Sequence, residues 1–111
     1  MGAYKLLING QMVDGELSMD VVNPATEEKL ADCPRASEGQ LNAAVAAAKA
    51  AFPAWSKTSI DERKAAVLKI ADVVEANAAE LAQLLTKEQG KPIEDATVEV
   101  YGMAAFCRYF T

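Results

Sequence analysis

The sequence predicts an α+β chain in which short antiparallel strands occupy residues 4–34 and about four helices occupy residues 37–111. Two observations support this prediction. Before residue 35, short apolar runs alternate with turn-forming pairs such as Asn9-Gly10 and Asp14-Gly15, which are typical of hairpins. After residue 37, apolar residues recur at the three- and four-residue spacing of one helix face. A hydrophobic content of 51% and a charged content of 24% indicate a folded protein.

The predicted strands span residues 4–8, 11–13, 18–22 and 29–33. Asn9-Gly10 connects the first two, because both residues tolerate positive φ. Asn23-Pro24 begins the turn between the last two. Pro34 is expected to end the final strand, because it has no N–H to donate to a ladder. Strands this short are marginally stable alone, so we expect them to pack on another element.

The first helix is predicted to begin at a capping box formed by Ser37 and Gln40. Pro53 interrupts its apolar pattern, so the helix is expected to end or kink near Phe52, with Trp55 folding back onto the core. The apolar face of this helix comprises Leu41, Ala44, Val45, Ala48, Phe52 and Trp55.

A second capping box, Ser59 with Glu62, opens a longer helical pattern. Asn77 suits a break, which divides the pattern into helices of about 59–76 and 78–89; one bent helix is the alternative. The apolar positions of this pattern are Val67, Leu68, Ile70, Ala71, Val74, Ala78, Leu81, Ala82 and Leu85.

The segment Gly90-Lys91-Pro92 predicts a corner between two helices. Gly90 suits the left-handed residue that follows a helix C-terminus. Pro92 suits the first position of a new helix, where its missing N–H would have no partner. The last helix should bury a stripe and reach Thr111 without a stop signal, as if cut in mid-helix. That predicted stripe comprises Ile93, Ala96, Val100, Met103, Ala104, Cys107 and Phe110.

Charge and composition exclude several classes of function. The net charge of -5 disfavours nucleic acid and anionic membrane surfaces, which both attract basic patches. We find no membrane-spanning stretch and no signal peptide, and the two cysteines are expected to be reduced, so we predict a cytoplasmic setting. The chain has no histidine, which excludes histidine-based triads and the usual zinc sites within it.

Few residues carry candidate chemistry. The six glycines form neither a dinucleotide fingerprint nor a phosphate loop, so Lys91 after Gly90 is interpreted as a solvated lysine. Cys107 and Cys33 lack an activating histidine and are interpreted as structural. The acidic pairs Glu27-Glu28 and Glu94-Asp95 are interpreted as turn and first-turn residues.

Glu99 lies between two valines and should be partly buried. A carboxylate in that setting needs a partner. An ion pair with Lys or Arg is one interpretation, and a cation site is the other.

Several motifs occur in an order that resembles a known family. They are Ile8-Asn9-Gly10-Gln11, Val22-Asn23-Pro24-Ala25-Thr26-Glu27-Glu28, the alanine-rich helix leading to Phe52-Pro53-Ala54-Trp55, Asp61-Glu62-Arg63, Glu80-Leu81-Ala82 and Glu88-Gln89-Gly90-Lys91-Pro92. Together they resemble the N-terminal segment of the NAD(P)-dependent aldehyde dehydrogenase superfamily, from about residue 4 to residue 111.

The resemblance implies an oxidoreductase that converts an aldehyde to a carboxylic acid with NAD or NADP and that acts as a homo-oligomer. It implies that residues 1–111 belong to an α/β cofactor-binding domain and stop before the catalytic domain. Because the family's nucleophilic cysteine, its base and its cofactor contacts lie further along the chain, we assign no catalytic and no cofactor-binding residue here and expect the segment alone to be inactive. The family's monovalent cation site maps onto a backbone carbonyl of Val21 or Val22 and onto Glu99. We also expect the last helix to bring Glu99 close to the Asn23-Pro24 turn.

Two other functions are open at this stage. A free-standing acidic helical binding module would be monomeric and would melt cooperatively. An acidic carrier protein would need an attachment serine at a helix start, for which Ser59-Ile60 is the candidate, although the neighbouring residues do not match a carrier pattern.

Overall fold

The computed structural model describes residues 4–111, and within that range it contains four strands followed by four helices. The predicted α+β class is confirmed. The elements form two compact units, which within the described range comprise residues 4–22 with 29–57 and residues 23–28 with 58–111. The elements are β1 Leu6–Ile8, β2 Gln11–Val13, β3 Leu17–Val22, β4 Lys29–Arg35, α1 Glu38–Trp55, α2 Ile60–Ala76, α3 Ala78–Gln89 and α4 Ile93–Tyr109.

The first unit begins with a tight hairpin. β1 and β2 pair antiparallel with Ile8 opposite Gln11, so the turn consists of Asn9 and Gly10 alone. Both turn residues have positive φ, 51° at Asn9 and 73° at Gly10. These values fit the twist of a two-residue hairpin, and they explain why this dipeptide stands here.

A second two-stranded ribbon follows in the same unit. β3 and β4 pair antiparallel, and the register shifts between Val21 and Val22. The prediction that Pro34 ends the last strand is wrong, because β4 continues to Arg35 and Pro34 lies opposite Ser18. Each strand of a two-stranded ribbon has an unpaired edge, where a proline is tolerated.

Helix α1 begins where the sequence predicts. The Ser37 hydroxyl accepts from the Gln40 N–H at 3.2 Å, and the Gln40 side chain accepts from the Ser37 N–H. The Gln40 side chain also donates to the Asp14 carbonyl at 2.8 Å and accepts from the Glu16 N–H at 3.0 Å. One glutamine therefore completes the cap and fastens the helix start to the segment between β2 and β3.

The far end of α1 differs from the prediction. The helix continues through Pro53 to Trp55, and Trp55 is 50% exposed rather than folded onto a core. Pro53 lies in the last turn, where its missing N–H removes only one helical hydrogen bond. The expected apolar stripe is not buried either, since Leu41, Val45 and Phe52 are all exposed.

The second unit is a three-helix arrangement in which α2 and α3 both pack against α4. Its core is built from small side chains, which allow the helix backbones to approach closely. Ser59 and Glu62 form the cap of α2, and Asn77 separates α2 from α3. Both features agree with the predictions. The buried residues of this core are Ala71, Val74, Ala78, Ala82, Ala96, Val100 and Ala104.

The stripe predicted for α4 is only partly correct. Its small members are buried and Cys107 packs against the core, but Ile93, Met103 and Phe110 are exposed. The helix ends at Tyr109, with Phe110 as the C-terminal cap, although the sequence predicts no stop before Thr111. Periodicity identifies an apolar face, but it does not tell whether a partner covers that face.

Candidate functional site

The Gly90-Lys91-Pro92 corner joins α3 to α4. Gly90 has φ +73° and its N–H donates to the Thr86 carbonyl at 2.8 Å, which is the predicted left-handed helix end. Pro92 precedes α4 as its N-cap rather than occupying its first turn, so that part of the prediction is wrong by one position. The Pro92 carbonyl accepts the first helical bond, from the Ala96 N–H at 2.9 Å.

The turn at residues 23–28 lies against this corner. Asn23 organises the turn, because its side chain accepts from the Ala25 N–H at 2.9 Å and its carbonyl accepts from the Glu27 N–H at 2.8 Å. Glu27 takes a positive φ of 61°. A Cβ added to Gly90 would lie 3.1 Å from Cγ of Pro24, so turn and corner are in contact at these two residues.

Lys91 ties the corner to α4. Its ammonium group forms an ion pair with the Glu99 carboxylate, so Lys91 is not the freely solvated lysine that the sequence suggests. Of the two interpretations of Glu99, the structure shows the ion pair. The Asn23-Pro24 turn is thus linked to Glu99 through two consecutive corner residues, Gly90 and Lys91.

A shallow apolar groove of about 290 Å³ adjoins this pair, between α3 and α4. Glu88 and Glu99 contribute carboxylates to its wall, and the other lining residues are Val74, Leu81, Leu84, Leu85, Val100 and Met103. This lining contains no nucleophile with an adjacent base, so the groove offers apolar surface rather than catalytic groups.

The residues predicted to hold a cation are found on separate elements. Val21 and Val22 end β3, where the register shift falls between them, and Glu99 lies in the second turn of α4. Within residues 4–111, no group of three or more His, Cys, Asp or Glu side chains could hold a metal ion. A site here would therefore need backbone carbonyls as ligands, as the resemblance implies.

The other candidates for chemistry behave as structural residues. Cys33 and Cys107 are free thiols of intermediate exposure. The Cys33 thiol lies 3.8 Å from the neighbouring Pro34 carbonyl, and Cys107 packs against the alanine-rich core. Glu94 and Asp95 occupy the first turn of α4, where carboxylates favour the positive end of the helix dipole.

Sequence reasoning missed an ion cluster on the β3–β4 ribbon. Asp20 and Asp32 lie directly opposite each other, and the Lys29 ammonium bridges them at 2.9 and 2.6 Å. Hydrogen bonds to Asp32, which has the larger effect, and to Asp20 raise the pKa of Lys29. The hydrogen bond from Lys29 lowers the pKa of Asp32. The sequence alone does not predict this cluster, because the strand register determines that Asp20 lies opposite Asp32.

A second ion cluster joins α2 to α4. The Arg108 guanidinium contacts Glu75 at 2.7 Å and Asp72 at 2.8 Å, two residues one helical turn apart. The hydrogen bonds to Glu75 and then Asp72 raise the pKa of Arg108, which keeps it charged at any ordinary pH. This cluster joins α2 to α4.

Comparison with known proteins places these features in a family. A model of the aldehyde dehydrogenase family matches residues 12–111. The chain belongs to the aldehyde dehydrogenase family. The resemblance in the motifs is thereby confirmed.

Individual relatives agree with this assignment. The methylmalonate-semialdehyde/malonate-semialdehyde dehydrogenase [acylating] of Rattus norvegicus is 40% identical over 99 residues, which cover 87% of this chain and 18% of the relative. The chain thus spans about a fifth of the length of the curated aldehyde dehydrogenases it matches.

Solved structures of the family have the same fold over this stretch. The crystal structure of PnpE in complex with nicotinamide adenine dinucleotide superposes with a TM-score of 0.91 at 39% identity, covering 98% of this chain and 23% of PnpE. An NADP-dependent enzyme of E. coli gives a TM-score of 0.91 at 34% identity, covering 97% of this chain and 23% of that enzyme. The strands and helices described above correspond to about a fifth of each of these longer chains. No helix among residues 4–111 is both long and apolar enough to cross a membrane.

Proposed function

We propose that this chain forms part of an NAD(P)⁺-dependent aldehyde dehydrogenase that oxidises an aldehyde to a carboxylic acid, and that residues 1–111 alone are inactive. The family match over residues 12–111 carries the proposal. In that reaction a thiolate attacks the aldehyde, hydride passes to the nicotinamide, and water releases the acid. The chain has no histidine, and its two thiols lie in structural settings. We therefore assign it the role of scaffold for the cofactor-binding domain, with the cofactor and the reacting groups held elsewhere in the parent protein.

The activity can be tested on the parent protein and on the chain side by side. We expect aldehyde-dependent formation of NADH or NADPH from the parent and none from residues 1–111. Activity of the isolated chain would contradict the assignment of its residues as structural. Failure of the parent to oxidise any member of an aldehyde panel with either cofactor would contradict the proposed reaction.

One relative favours a second product. The rat enzyme's name marks it as acylating, and the corresponding proposal for the parent of this chain is release of the acyl group to a thiol instead of to water. Product analysis of the parent with malonate semialdehyde, with and without coenzyme A, separates the two outcomes. A free acid formed regardless of coenzyme A supports hydrolysis, and an acyl thioester formed only in its presence supports the acylating reaction.

Exposed apolar side chains distinguish a scaffold from a free-standing binding module. Phe106, Tyr109 and Phe110 on α4 are 66%, 80% and 76% exposed. Such surface normally requires a partner. We expect the isolated chain to bind an apolar fluorescent dye and to self-associate, whereas a binding module would stay monomeric and melt in one sharp transition.

We also propose the cation site that the resemblance implies, with a backbone carbonyl of Val21 or Val22 and the Glu99 carboxylate as ligands. The register shift between Val21 and Val22 supports it, because a bulge releases ladder groups for other bonds. Glu99 pairs with Lys91 in this structure, so the proposed cation would take the place of the Lys91 ammonium group at this carboxylate. The melting temperature of the parent should be higher in K⁺ or Na⁺ than in the same concentration of a bulky organic cation. Glu99→Gln should abolish this difference. A variant that keeps the difference would contradict the site.

The setting and assembly of the parent are the remaining parts of the proposal. The net charge of -5 and the reduced thiols support a cytoplasmic, soluble enzyme that binds neither nucleic acid nor membrane. The family resemblance supports a homo-oligomer. Light scattering of the parent would give its mass, and a monomer at working concentration would contradict this part.

A further inference from the structure

We propose that Asn9 is a site of spontaneous covalent modification, at which its side-chain amide is converted to aspartate and isoaspartate. The observation that carries this is the geometry of the β1–β2 turn. Asn9 is exposed and Gly10 follows it, with no side chain to shield the backbone nitrogen. A Cβ at Gly10 would meet nothing within 4 Å, so there is open space beside the Gly10 backbone.

The register leaves the reacting nitrogen outside the ladder. Ile8 and Gln11 form the last cross-strand pair, so the Gly10 N–H is not a ladder donor. The two strands have three residues each, and Leu7 and Met12 on them are 68% and 64% exposed. Two paired strands of three residues add little stability, and transient opening of this hairpin would let Asn9 rotate out of its left-handed conformation into one that permits ring closure.

The chemistry needs only base and water. The Gly10 nitrogen loses its proton to base and bonds to Cγ of Asn9, the bond from Cγ to the side-chain nitrogen breaks, and ammonia leaves. Water then opens the resulting five-membered imide. Cleavage next to Cγ gives aspartate, and cleavage next to the backbone carbonyl gives isoaspartate. No oxidation state changes in either step.

The other three asparagines provide matched controls within the same chain. Asn23 precedes Pro24, whose nitrogen carries no proton to lose. Asn42 lies inside α1, where the backbone is held in a helix. The Asn77 side chain donates to the Val73 carbonyl at 2.8 Å, between α2 and α3.

Isoaspartate would have a structural consequence. It adds a methylene group to the main chain, and a two-residue turn closes only with the normal number of backbone atoms. The pairing of Leu6 with Val13 and of Ile8 with Gln11 would then be lost. Residues 6–13 of the modified protein should exchange their amide hydrogens faster.

The test is to incubate the purified parent protein in ¹⁸O-labelled water at mildly alkaline pH and to map the peptides of residues 1–111 by mass spectrometry. We expect most of the new, labelled acid at residue 9, a rate that rises with pH, and its loss in Asn9→Gln, where ring closure is slower. Unfolding in urea should accelerate Asn42 and Asn77 far more than Asn9. If Asn9 is as protected in the folded chain as Asn42 and Asn77, or if the label appears mainly at one of those two, the proposal is wrong.

Discussion

Pro24 packs directly against Gly90: a Cβ built on Gly90 would lie only 3.1 Å from Cγ of the proline ring. The contact joins the turn at residues 23–28 to the corner between α3 and α4. Two independent demands meet at this one glycine. Its φ of +73° is strained for any side chain, and the space beside it is already taken.

Gly90→Ala should therefore destabilise the chain. The left-handed conformation alone costs a residue with a Cβ about 1–2 kcal/mol, and displacement of Pro24 adds to this. The matched control is Gly102→Ala in α4, where a Cβ meets nothing within 4 Å. There alanine should stabilise the helix by about 0.5–1 kcal/mol. Urea denaturation of both variants tests the pair, and equal effects of the same sign would contradict the role of Gly90.

The alanine core sets the distance between the helices of the second unit. Ala104 has no exposed surface, so Ala104→Leu should destabilise by about 1–3 kcal/mol through overpacking. Ala105, the next residue on α4, is exposed, and Ala105→Leu should change the unfolding free energy little. A comparison of the two denaturation midpoints tests this, and a neutral Ala104→Leu would mean that the helices are not in close contact.

The cap of α2 makes a prediction with a pH dependence. Ser59→Ala should cost about 1 kcal/mol, because the Ser59 hydroxyl accepts from the Glu62 N–H. The Ser59 backbone N–H and, with a smaller effect, the Ser59 hydroxyl donate hydrogen bonds to the Glu62 carboxylate. These hydrogen bonds lower the pKa of Glu62 below its usual 4.5. A lowered folded pKa gives stability above pH 4.5 that is lost as pH falls through the folded value. Glu62→Gln should remove this part of the acid sensitivity, which thermal melts across the acid range would show.

The charge cluster on the β3–β4 ribbon has two pH limits. The pKa of Asp32 is lowered by Lys29, so its contribution is present above pH 3.8 and lost as pH falls through the folded value. The pKa of Lys29 is raised, so its contribution is present below pH 10.5 and lost as pH rises through the folded value. The protection factors of residues 17–35, which are exchange rates corrected for the intrinsic pH dependence of amide exchange, should be highest between these limits. In Lys29→Met, Asp20 and Asp32 face each other uncompensated, and exchange should be faster at neutral pH; no difference there would contradict the role of Lys29.

Local signals in the sequence were sufficient for the existence of the elements and for those ends that a cap, a tight turn or a left-handed residue sets. Asn9-Gly10, the Ser37 and Ser59 caps, the break at Asn77 and the left-handed Gly90 are each set by interactions within a few residues, so the pattern predicted them. The predictions for Pro34 and Pro53 are wrong because the effect of a proline depends on more than its immediate neighbours in sequence. A proline is excluded only where its N–H is needed, and whether it is needed depends on a ribbon edge or a helix end that the sequence does not mark.

The sequence by itself determined the strands, the helices and the family, because these follow from short-range chemistry and from motif order. Only the tertiary structure decided which apolar faces are buried. Ala96 and Ala104 are covered while Met103 and Phe110 on the same predicted stripe are exposed. It also decided the partners of Gly90, Lys91 and Lys29, which lie between 3 and 66 residues away along the chain. Burial and pairing depend on what another segment brings to a surface, and periodicity describes one segment at a time.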